Sequence, residues 1–278
     1  MKTFKRDELE HGAYNIRRHI VETIASNGEG HAGGALSAAD AIAVLYLAIM
    51  DVRPDDPEKS DKFLLSGGHK CLALYGALAE AGIIPADYFA TYNHLNSPLP
   101  CHPDATKLRG VDFSTGSLGH GLPLACGYAM AARIKGLSYK TYVLMGDGEQ
   151  GEGSNWEAAA FAAHNHLDSI VAIIDENGLQ INGRTAEVCK PTSFEERYGA
   201  FGWSVKTVDG HDVGALYDVL AGAPFEKGKP SLIVSKTKKG RGLGFMEDNI
   251  KYHHWNPKAE EGAAAVAEIR EAGKRWEK

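Results

Sequence analysis

Residues 142–178 read YVLMGDGEQGEGSNWEAAAFAAHNHLDSIVAIIDENG, and this stretch decides the fold of the chain. Two short apolar runs, 142–145 and 170–174, enclose an alanine-rich segment. Continuous apolar runs of this length are typical of strands that are covered on both faces. The segment between them is long enough for a helix. The stretch therefore predicts one strand–helix–strand unit of a parallel sheet.

The rest of the sequence continues this alternation and predicts a doubly wound, mostly parallel α/β sheet with helices on both faces. Further helices are predicted over 8–27, 37–50, 70–81, 118–136 and 258–278, and a third strand over 232–234. Ser37 is expected to cap the second of these helices, with Asp40 in its first turn. We see no internal repeat or long linker, and we expect a single domain over residues 1–278.

Composition excludes several classes of protein. Acidic residues number 36 and basic residues 30, which gives a net charge of −6, and no basic stripe marks a nucleic-acid binder. The N-terminus is charged, and the longest apolar run, 41–50, is about half of a membrane span. Four cysteines lie far apart without a CxxC pair, which predicts free thiols in a reducing compartment. We therefore expect a cytoplasmic protein that binds neither nucleic acid nor membranes.

Polar residues follow both strands of the unit. Gly146-Asp147-Gly148 ends the first strand, and Asn177 lies 177 − 147 = 30 positions after Asp147. The carboxyl ends of neighbouring parallel strands are where open α/β sheets bind ligands. Carboxylate and amide oxygens, with two phosphate oxygens, suit Mg²⁺, and glycines let backbone N–H groups approach a phosphate. Taken alone, Gly146-Asp147-Gly148 and the ENG sequence at 176–178 are each typical of a turn. The spacing of 30 residues between Asp147 and Asn177 favours a site for a metal and a diphosphate.

These residues resemble the thiamine-diphosphate fingerprint, and residues 146–183 are similar to its transketolase version. Other segments occur in the order seen in that family: GHAGG with His31, SGGH with His69, CHPD with His102, and TGSLGHG over 115–121. The resemblance spans nearly the whole chain. It implies the thiamine-diphosphate-binding fold and the transfer of a two-carbon ketol unit from a ketose phosphate to an aldose phosphate.

The resemblance also implies a site, residue by residue. The implied metal ligands are Asp147, Asn177 and the backbone carbonyl of Leu179, holding Mg²⁺, Ca²⁺ or Mn²⁺. The implied contacts of thiamine diphosphate are His69, Gly116, Leu118, Gly148, Asn177 and His253. The implied catalytic groups are His31, His69, His102, His253, Glu152 and Glu157. The two glutamates match carboxylates that link the two active sites across the subunit interface in the family.

The resemblance implies that the histidines line a reaction channel, and the chemistry of histidine supports this role independently. His31, His69 and His102 each lie beside glycine or proline in a predicted turn rather than on an apolar helix face. A neutral imidazole near pH 7 both donates and accepts protons, which ketol transfer requires. The identity of the fourth histidine is undecided: His253 is favoured, and His254 is the alternative. The glycine that follows this histidine in the family is missing here.

Other positions also leave alternatives. Ala32 and His120 replace the family's proline and glutamine, and both changes bear on substrate preference. Glu152 and Glu157 are equally explained by a helix N-terminus, where carboxylates favour the positive end of the dipole.

The chain resembles only the diphosphate-binding half of a transketolase, and we expect it to lack the pyrimidine-binding domain. We therefore expect the N-terminal subunit of a split transketolase, inactive until a C-terminal subunit completes an α2β2 assembly. Alternatives are a subunit of another thiamine-diphosphate enzyme, of the 1-deoxyxylulose-5-phosphate synthase or 2-oxoacid dehydrogenase type, and a non-catalytic cofactor-binding homologue. The sugar remains open among pentose phosphates, branched-sugar phosphates and sulfonated sugars.

Overall fold

The computed structural model describes residues 5–276, and its centre is a five-stranded sheet in which every neighbouring pair of strands is parallel. The strand order is β1-β2-β3-β7-β6, and a two-stranded antiparallel ribbon, β4-β5, follows β3. The strands are β1 (Lys62–Leu65), β2 (Thr141–Gly146), β3 (Ile170–Glu176), β4 (Leu179–Gln180), β5 (Gly183–Arg184), β6 (Ser204–Asp209) and β7 (Ser231–Lys236).

Helices cover both faces of this sheet. Those in the described part of the chain are α1 (Arg6–Asn27), α2 (Gly33–Val44), α3 (Cys71–Glu80), α4 (Gly121–Lys135), α5 (Gly153–His164), α6 (Thr185–Cys189), α7 (Phe194–Ala200), α8 (Val213–Ala221) and α9 (Ala259–Gly273). Short 3₁₀ turns at Gly68–Lys70 and Gly148–Gly151 precede α3 and α5.

Successive side chains of each central strand pack alternately into two separate apolar cores, one on each face of the sheet. Tyr142 and Leu144 of β2 point to the core formed with α1, α2, α3, α8 and α9. Val143 and Met145 point to the core formed with α4, α5 and α7. Because successive side chains of a strand face opposite ways, a continuous apolar run is the pattern that such a two-sided sheet needs. The predicted doubly wound α/β fold is confirmed.

The predicted strands correspond to β2, β3 and β7, and the predicted helices to α1, α2, α3, α4 and α9. One local prediction was wrong: Ser37 does not cap α2, because that helix begins four residues earlier, at Gly33. Ser37 is fully buried inside it, and its hydroxyl donates to a carboxylate of the sheet, Asp175. Residues 1–4 and 277–278 of the predicted single domain, and the end of the predicted last helix, lie outside the described residues.

The topology brings distant loops to one edge of the sheet. The turns after β1, β2, β3 and β7 leave from the carboxyl ends of parallel strands, at residues 66–70, 147–153, 177–178 and 237–239. Ligands bind at this edge in open α/β sheets. In the described part of the chain, no helix combines the length and the apolar character that crossing a bilayer requires.

Candidate active site at the carboxyl edge of the sheet

Asp147 and the Asn177 turn lie side by side at this edge. The carboxylate of Asp147 accepts hydrogen bonds from the backbone N–H of Gly148 at 2.8 Å, from that of Gly178 at 2.7 Å and from the Thr185 hydroxyl at 3.0 Å. Asp147 is 4% exposed and Asn177 is 7% exposed. The strand–helix–strand unit thus places a buried carboxylate and a buried amide together, as their spacing predicted.

The third predicted metal ligand, the carbonyl of Leu179, belongs to the turn that carries Asn177. Oδ1 of Asn177 accepts from the backbone N–H of Leu179 at 3.2 Å, so the two groups share one tight turn. The carbonyl oxygen of Leu179 accepts from Nζ of Lys239 at 3.0 Å, and Lys239 is only 2% exposed. Sequence reasoning missed this lysine, because its run KTKKGRG is typical of a solvated basic turn.

The donor set fits a hard divalent cation. It offers one carboxylate, one amide oxygen and one carbonyl oxygen, all of the kind that Mg²⁺ and Ca²⁺ prefer. Burial, with the charge of Asp175 adding to it, raises the pKa of Asp147, and a bound cation would relieve that cost. Within residues 5–276 there is no alternative group of three or more His, Cys, Asp and Glu side chains arranged for a metal.

Glycines leave room where the predicted diphosphate loops meet. A Cβ on Gly68 would lie 2.6 Å from the carbonyl oxygen of Thr115, and a Cβ on Gly148 would lie 2.8 Å from Cβ of Gln180. Real Cβ atoms do not approach backbone this closely, so Gly68 is required by the contact between the SGGH turn and the loop that carries Gly116 and Leu118. These loops form the cradle in which a diphosphate and its ring would lie.

Four predicted channel histidines converge beside that cradle. The ring centroid of His31 lies 5.4 Å from that of His69, 6.0 Å from that of His102 and 5.6 Å from that of His253. The ring centroids of His69 and His253 are 5.1 Å apart. His254, the alternative, is exposed and lies 4.7 Å from His31. Both members of the pair therefore touch the cluster, but only His253 is partly buried within it.

Burial keeps these imidazoles neutral. It lowers the pKa of His31 to about 4, with the neighbouring imidazoles adding to the effect, and lowers the pKa of His69 well below its usual value. Burial and Lys239 lower the pKa of His253 to about 3. Nζ of Lys239 lies 3.0 Å from Nδ1 of His253. Because an ammonium only donates, this nitrogen accepts, and the proton of the neutral ring is on Nε2.

A second buried carboxylate, Glu149, joins the three cofactor loops, and no pattern in the sequence predicted this role. Glu149 accepts from the hydroxyl of Ser66, from the N–H of Gly119 at 2.8 Å and from the N–H of Gly146 at 2.9 Å. Burial raises its pKa. One side chain thus holds the SGGH turn, the TGSLGHG loop and the GDG turn in register.

The two predicted interface glutamates are placed differently from the histidines. Glu152 and Glu157 are exposed at the start of α5, outside the histidine cluster, and neither forms an ion pair within the described chain. The helix-dipole explanation fits Glu152, the N-cap residue of α5, but not Glu157, which lies beyond the first turn of that helix. The exposed positions of both are compatible with the interface prediction.

The two departures from the family pattern also lie at this edge. Ala32 is buried just before α2, and His120 is exposed just before α4, with Nδ1 3.1 Å from the carbonyl oxygen of Leu118. Cys71, Cys101, Cys126 and Cys189 are all free, as expected.

Known proteins are similar to this chain over most of its length. Residues 10–273 match the family model described as transketolase, thiamine diphosphate binding domain. An apulose-4-phosphate transketolase subunit from Actinobacillus succinogenes is 42% identical over 95% of this chain and 97% of its own length. A 6-deoxy-6-sulfo-D-fructose transketolase subunit from a Clostridium species is 39% identical over 96% of this chain and 98% of its own length.

Solved structures match the fold as well. The transketolase of Campylobacter jejuni superposes with a TM-score of 0.89 and 28% identity over 98% of this chain, but the match covers only 43% of that protein. The transketolase of Leishmania mexicana superposes with a TM-score of 0.84 and 28% identity, over 97% of this chain and 46% of that protein. The chain therefore spans less than half the length of these solved transketolases.

Proposed function

Because this chain belongs to the transketolase family, we propose that it is the cofactor-holding subunit of a two-chain transketolase. With a partner subunit it transfers a two-carbon ketol unit from a ketose phosphate to an aldose phosphate. The observation that carries the proposal is the convergence of the Asp147–Asn177 turn and the histidine cluster at one edge of the sheet. A cation site alone, or histidines alone, would fit many other reactions.

The proposed roles of the residues follow from their chemistry. Asp147, Asn177 and the carbonyl of Leu179 hold the divalent metal, and the loops of Gly116, Leu118 and Gly148 hold thiamine diphosphate. When bound, thiamine diphosphate supplies a carbon nucleophile for the ketose carbonyl and carries the two-carbon unit between sugars. A cation held by these residues would offset the repulsion between the carboxylate of Asp147 and the diphosphate.

The proposed role of the histidines is to accept and donate protons. His31, His69 and His253 are neutral at pH 7, because burial lowers the pKa of each. A neutral ring takes a proton from a sugar hydroxyl at one nitrogen and donates to a carbonyl oxygen from the other. With Nδ1 directed at Lys239, His253 has its N–H on Nε2 and acts as the donor. His102, at the edge of the cluster, meets the sugar from the side of Gly116.

The proposed partner supplies what the described chain does not. The similar proteins from Actinobacillus and Clostridium are named as subunits, which supports a second chain. We propose a partner that carries the pyrimidine-binding domain, joined to this chain in an α2β2 assembly. Glu152 and Glu157, exposed at the start of α5, are proposed to meet a second copy across the interface.

The names of two similar proteins specify apulose 4-phosphate and 6-deoxy-6-sulfo-D-fructose, which carry their phosphate and sulfonate groups on carbons 4 and 6, away from the two carbons that a ketol transfer moves. We propose that the histidine cluster contacts the end of the sugar that carries the transferred carbons. We therefore propose a phosphorylated ketose donor and a phosphorylated aldose acceptor, and place the choice of sugar on the partner.

The test is reconstitution. This chain, its partner and the mixture are each assayed with thiamine diphosphate, Mg²⁺, a panel of ketose phosphates and an aldose phosphate, with products identified by mass spectrometry. Only the mixture is expected to turn over. Full activity of this chain alone would contradict the two-chain proposal, and carbon dioxide release from 2-oxoacids would favour a different thiamine enzyme.

A variant pair tests the metal site. Asp147→Ala is expected to abolish metal-dependent binding of thiamine diphosphate in the mixture, measured by calorimetry. Asp87→Ala, at an exposed position, is the matched control and leaves binding unchanged. Unchanged binding by the Asp147 variant would refute the assignment.

A further inference from the structure

The side chain of Asn177 is held in one orientation. Its amide nitrogen donates to Oδ2 of Asp175 at 3.2 Å and to the hydroxyl of Ser37 at 3.3 Å. Its oxygen accepts from the N–H of Leu179 at 3.2 Å, which leaves one lone pair of that oxygen for a ligand. The two ends of an amide have nearly the same shape, so steric fit alone does not decide which end faces the metal site. The hydrogen-bond partners of the amide nitrogen decide it.

Asp175 is the hydrogen-bond partner that fixes the orientation of the Asn177 amide. It is 1% exposed and accepts from Nζ of Lys70 at 2.6 Å and from Ser37 at 2.7 Å, both on Oδ2, while Thr237 donates to Oδ1. Both oxygens of this carboxylate thus receive hydrogen-bond donors, and one of them faces the ammonium group of Lys70, so toward Asn177 the carboxylate acts as an acceptor.

We propose that Asp175 is a positioning residue that keeps the amide oxygen of Asn177 directed at the metal. With the amide reversed, its oxygen would face Oδ2 of Asp175, itself a hydrogen-bond acceptor of Lys70, and its NH₂ group would face the cation, so both contacts would be unfavourable. The inference rests on the proposed function, because it needs a metal at Asn177. Partners that orient metal ligands typically contribute 10–100-fold to metal affinity.

The alternative is that the Lys70–Asp175 pair only stabilises the sheet edge. Two hydroxyl variants separate the roles. Ser37→Ala removes a donor to Oδ2 together with an acceptor of the Asn177 amide, whereas Thr237→Val removes a donor to Oδ1, remote from the amide. Each removes one hydrogen bond to the same buried carboxylate, and urea unfolding of both variants measures how far each loses stability. Asp175→Asn is the direct variant.

The experiment measures the dissociation constant of Mn²⁺ by electron paramagnetic resonance in the two-chain complex saturated with thiamine diphosphate, beside urea unfolding of each variant. We expect Ser37→Ala to weaken Mn²⁺ binding about tenfold, Asp175→Asn by ~10–100-fold, and Thr237→Val by less than twofold. We also expect excess Mg²⁺ to restore thiamine diphosphate binding in Ser37→Ala.

Three results would overturn the inference. The first is equal loss of Mn²⁺ affinity in Ser37→Ala and Thr237→Val, and the second is wild-type affinity in Asp175→Asn. The third is thiamine diphosphate binding by Ser37→Ala that excess Mg²⁺ fails to restore. If Asp175→Asn does not fold, the hydroxyl pair decides the matter. Failure of the wild-type complex to bind thiamine diphosphate in a metal-dependent way would refute the proposed function itself, and the positioning role with it.

Discussion

Gly30 and Trp255 exchange two backbone hydrogen bonds, of 3.0 Å from Gly30 N–H and 2.7 Å from Trp255 N–H. Residues 225 positions apart in the chain are thereby fixed side by side. His31 follows one partner and His254 precedes the other, so this bridge sets the spacing of the cluster. Trp255 is 2% exposed, and its indole N–H donates to Glu261 at 3.0 Å, which keeps the bridge in place.

The cluster makes stability depend on pH. Burial lowers the pKa of His31 from 6.5 to about 4, whereas in the unfolded chain it titrates near its usual value. Between these two values the unfolded state binds a proton that the folded state does not. The free energy of unfolding therefore rises with pH in this window. The contribution of His31 is fully present above pH 6.5 and is lost as pH falls to about 4.

We expect His31→Asn to flatten this dependence by about 1–2 kcal/mol, after allowing for solvent screening of a partly exposed side chain. Urea unfolding of both proteins at pH 7.5, 5.5 and 4.5 measures it. His94→Asn, at an exposed position, is the control and keeps the wild-type slope. Parallel curves for wild type and His31→Asn would show that His31 is not the group that resists protonation.

The ion pair of Lys70 and Asp175 predicts a large loss of stability when it is broken. Nζ and Oδ2 are 2.6 Å apart, and each side chain is 2% exposed. Lys70→Met leaves a buried carboxylate without a cation, which typically costs ~3–5 kcal/mol. The exposed pair of Lys59 and Asp56 is the matched control, and Lys59→Met is expected to cost less than ~1 kcal/mol.

The double variant Lys70→Met with Asp175→Asn distinguishes charge from packing. It is expected to unfold at a higher urea concentration than Lys70→Met alone, because the unpaired charge is gone. A double variant that is less stable than Lys70→Met would mean that packing by the lysine stem, rather than the buried charge, dominates.

What could be predicted about the site depends on distance along the chain. Asp147 and Asn177 belong to a single strand–helix–strand unit, so their spacing alone placed them together. Lys70 and Asp175 are 105 positions apart, and Glu149 and Ser66 are 83 apart. Those segments become neighbours only through the order of the strands in the sheet, which the sequence pattern does not give. A lysine beside a turn is also normally solvated, so nothing marked Lys70 as buried.

Two strands of the five-stranded sheet were not predicted. β6 (Ser204–Asp209) is one of the two edge strands, and its residues are partly or fully exposed instead of forming a buried apolar run. β1 (Lys62–Leu65) has only four residues, beginning with a lysine whose ammonium lies 3.8 Å from Asp112. β6 lacks the continuous apolar run that identified β2, β3 and β7. The apolar run of β1, 63–65, is as long as the run 232–234 of β7, so this strand was within reach of the same reasoning.

The contact between the SGGH turn and the Thr115 loop predicts that a methyl group at Gly68 is not tolerated. A Cβ there would lie 2.6 Å from Thr115 O and 2.8 Å from Gly116 N, and backbone atoms cannot yield as a side chain does. We expect Gly68→Ala to cost ~1–3 kcal/mol and to weaken thiamine diphosphate binding by separating the two loops.

The control is Gly127→Ala, on an exposed face of α4 with open space around the added methyl. Since alanine is the better helix former, this variant is expected to gain ~0.5–1 kcal/mol. Calorimetry with thiamine diphosphate and Mg²⁺, beside urea unfolding, measures both effects. Unchanged cofactor binding by Gly68→Ala would refute the proposed role of this contact.

His253 and His254 form a matched pair that tests which histidine acts. His253 lies 3.0 Å from Lys239 and 5.1 Å from His69, whereas His254 is exposed and contacts the cluster through His31. Removing a positioned proton donor typically costs 10²–10⁴-fold in rate. In the two-chain enzyme we expect His253→Asn to lower kcat by about 10²-fold and His254→Asn by less than about tenfold, judged against the same range. Steady-state kinetics at pH 7.5 measures both, and the reverse ranking would assign the catalytic role to His254.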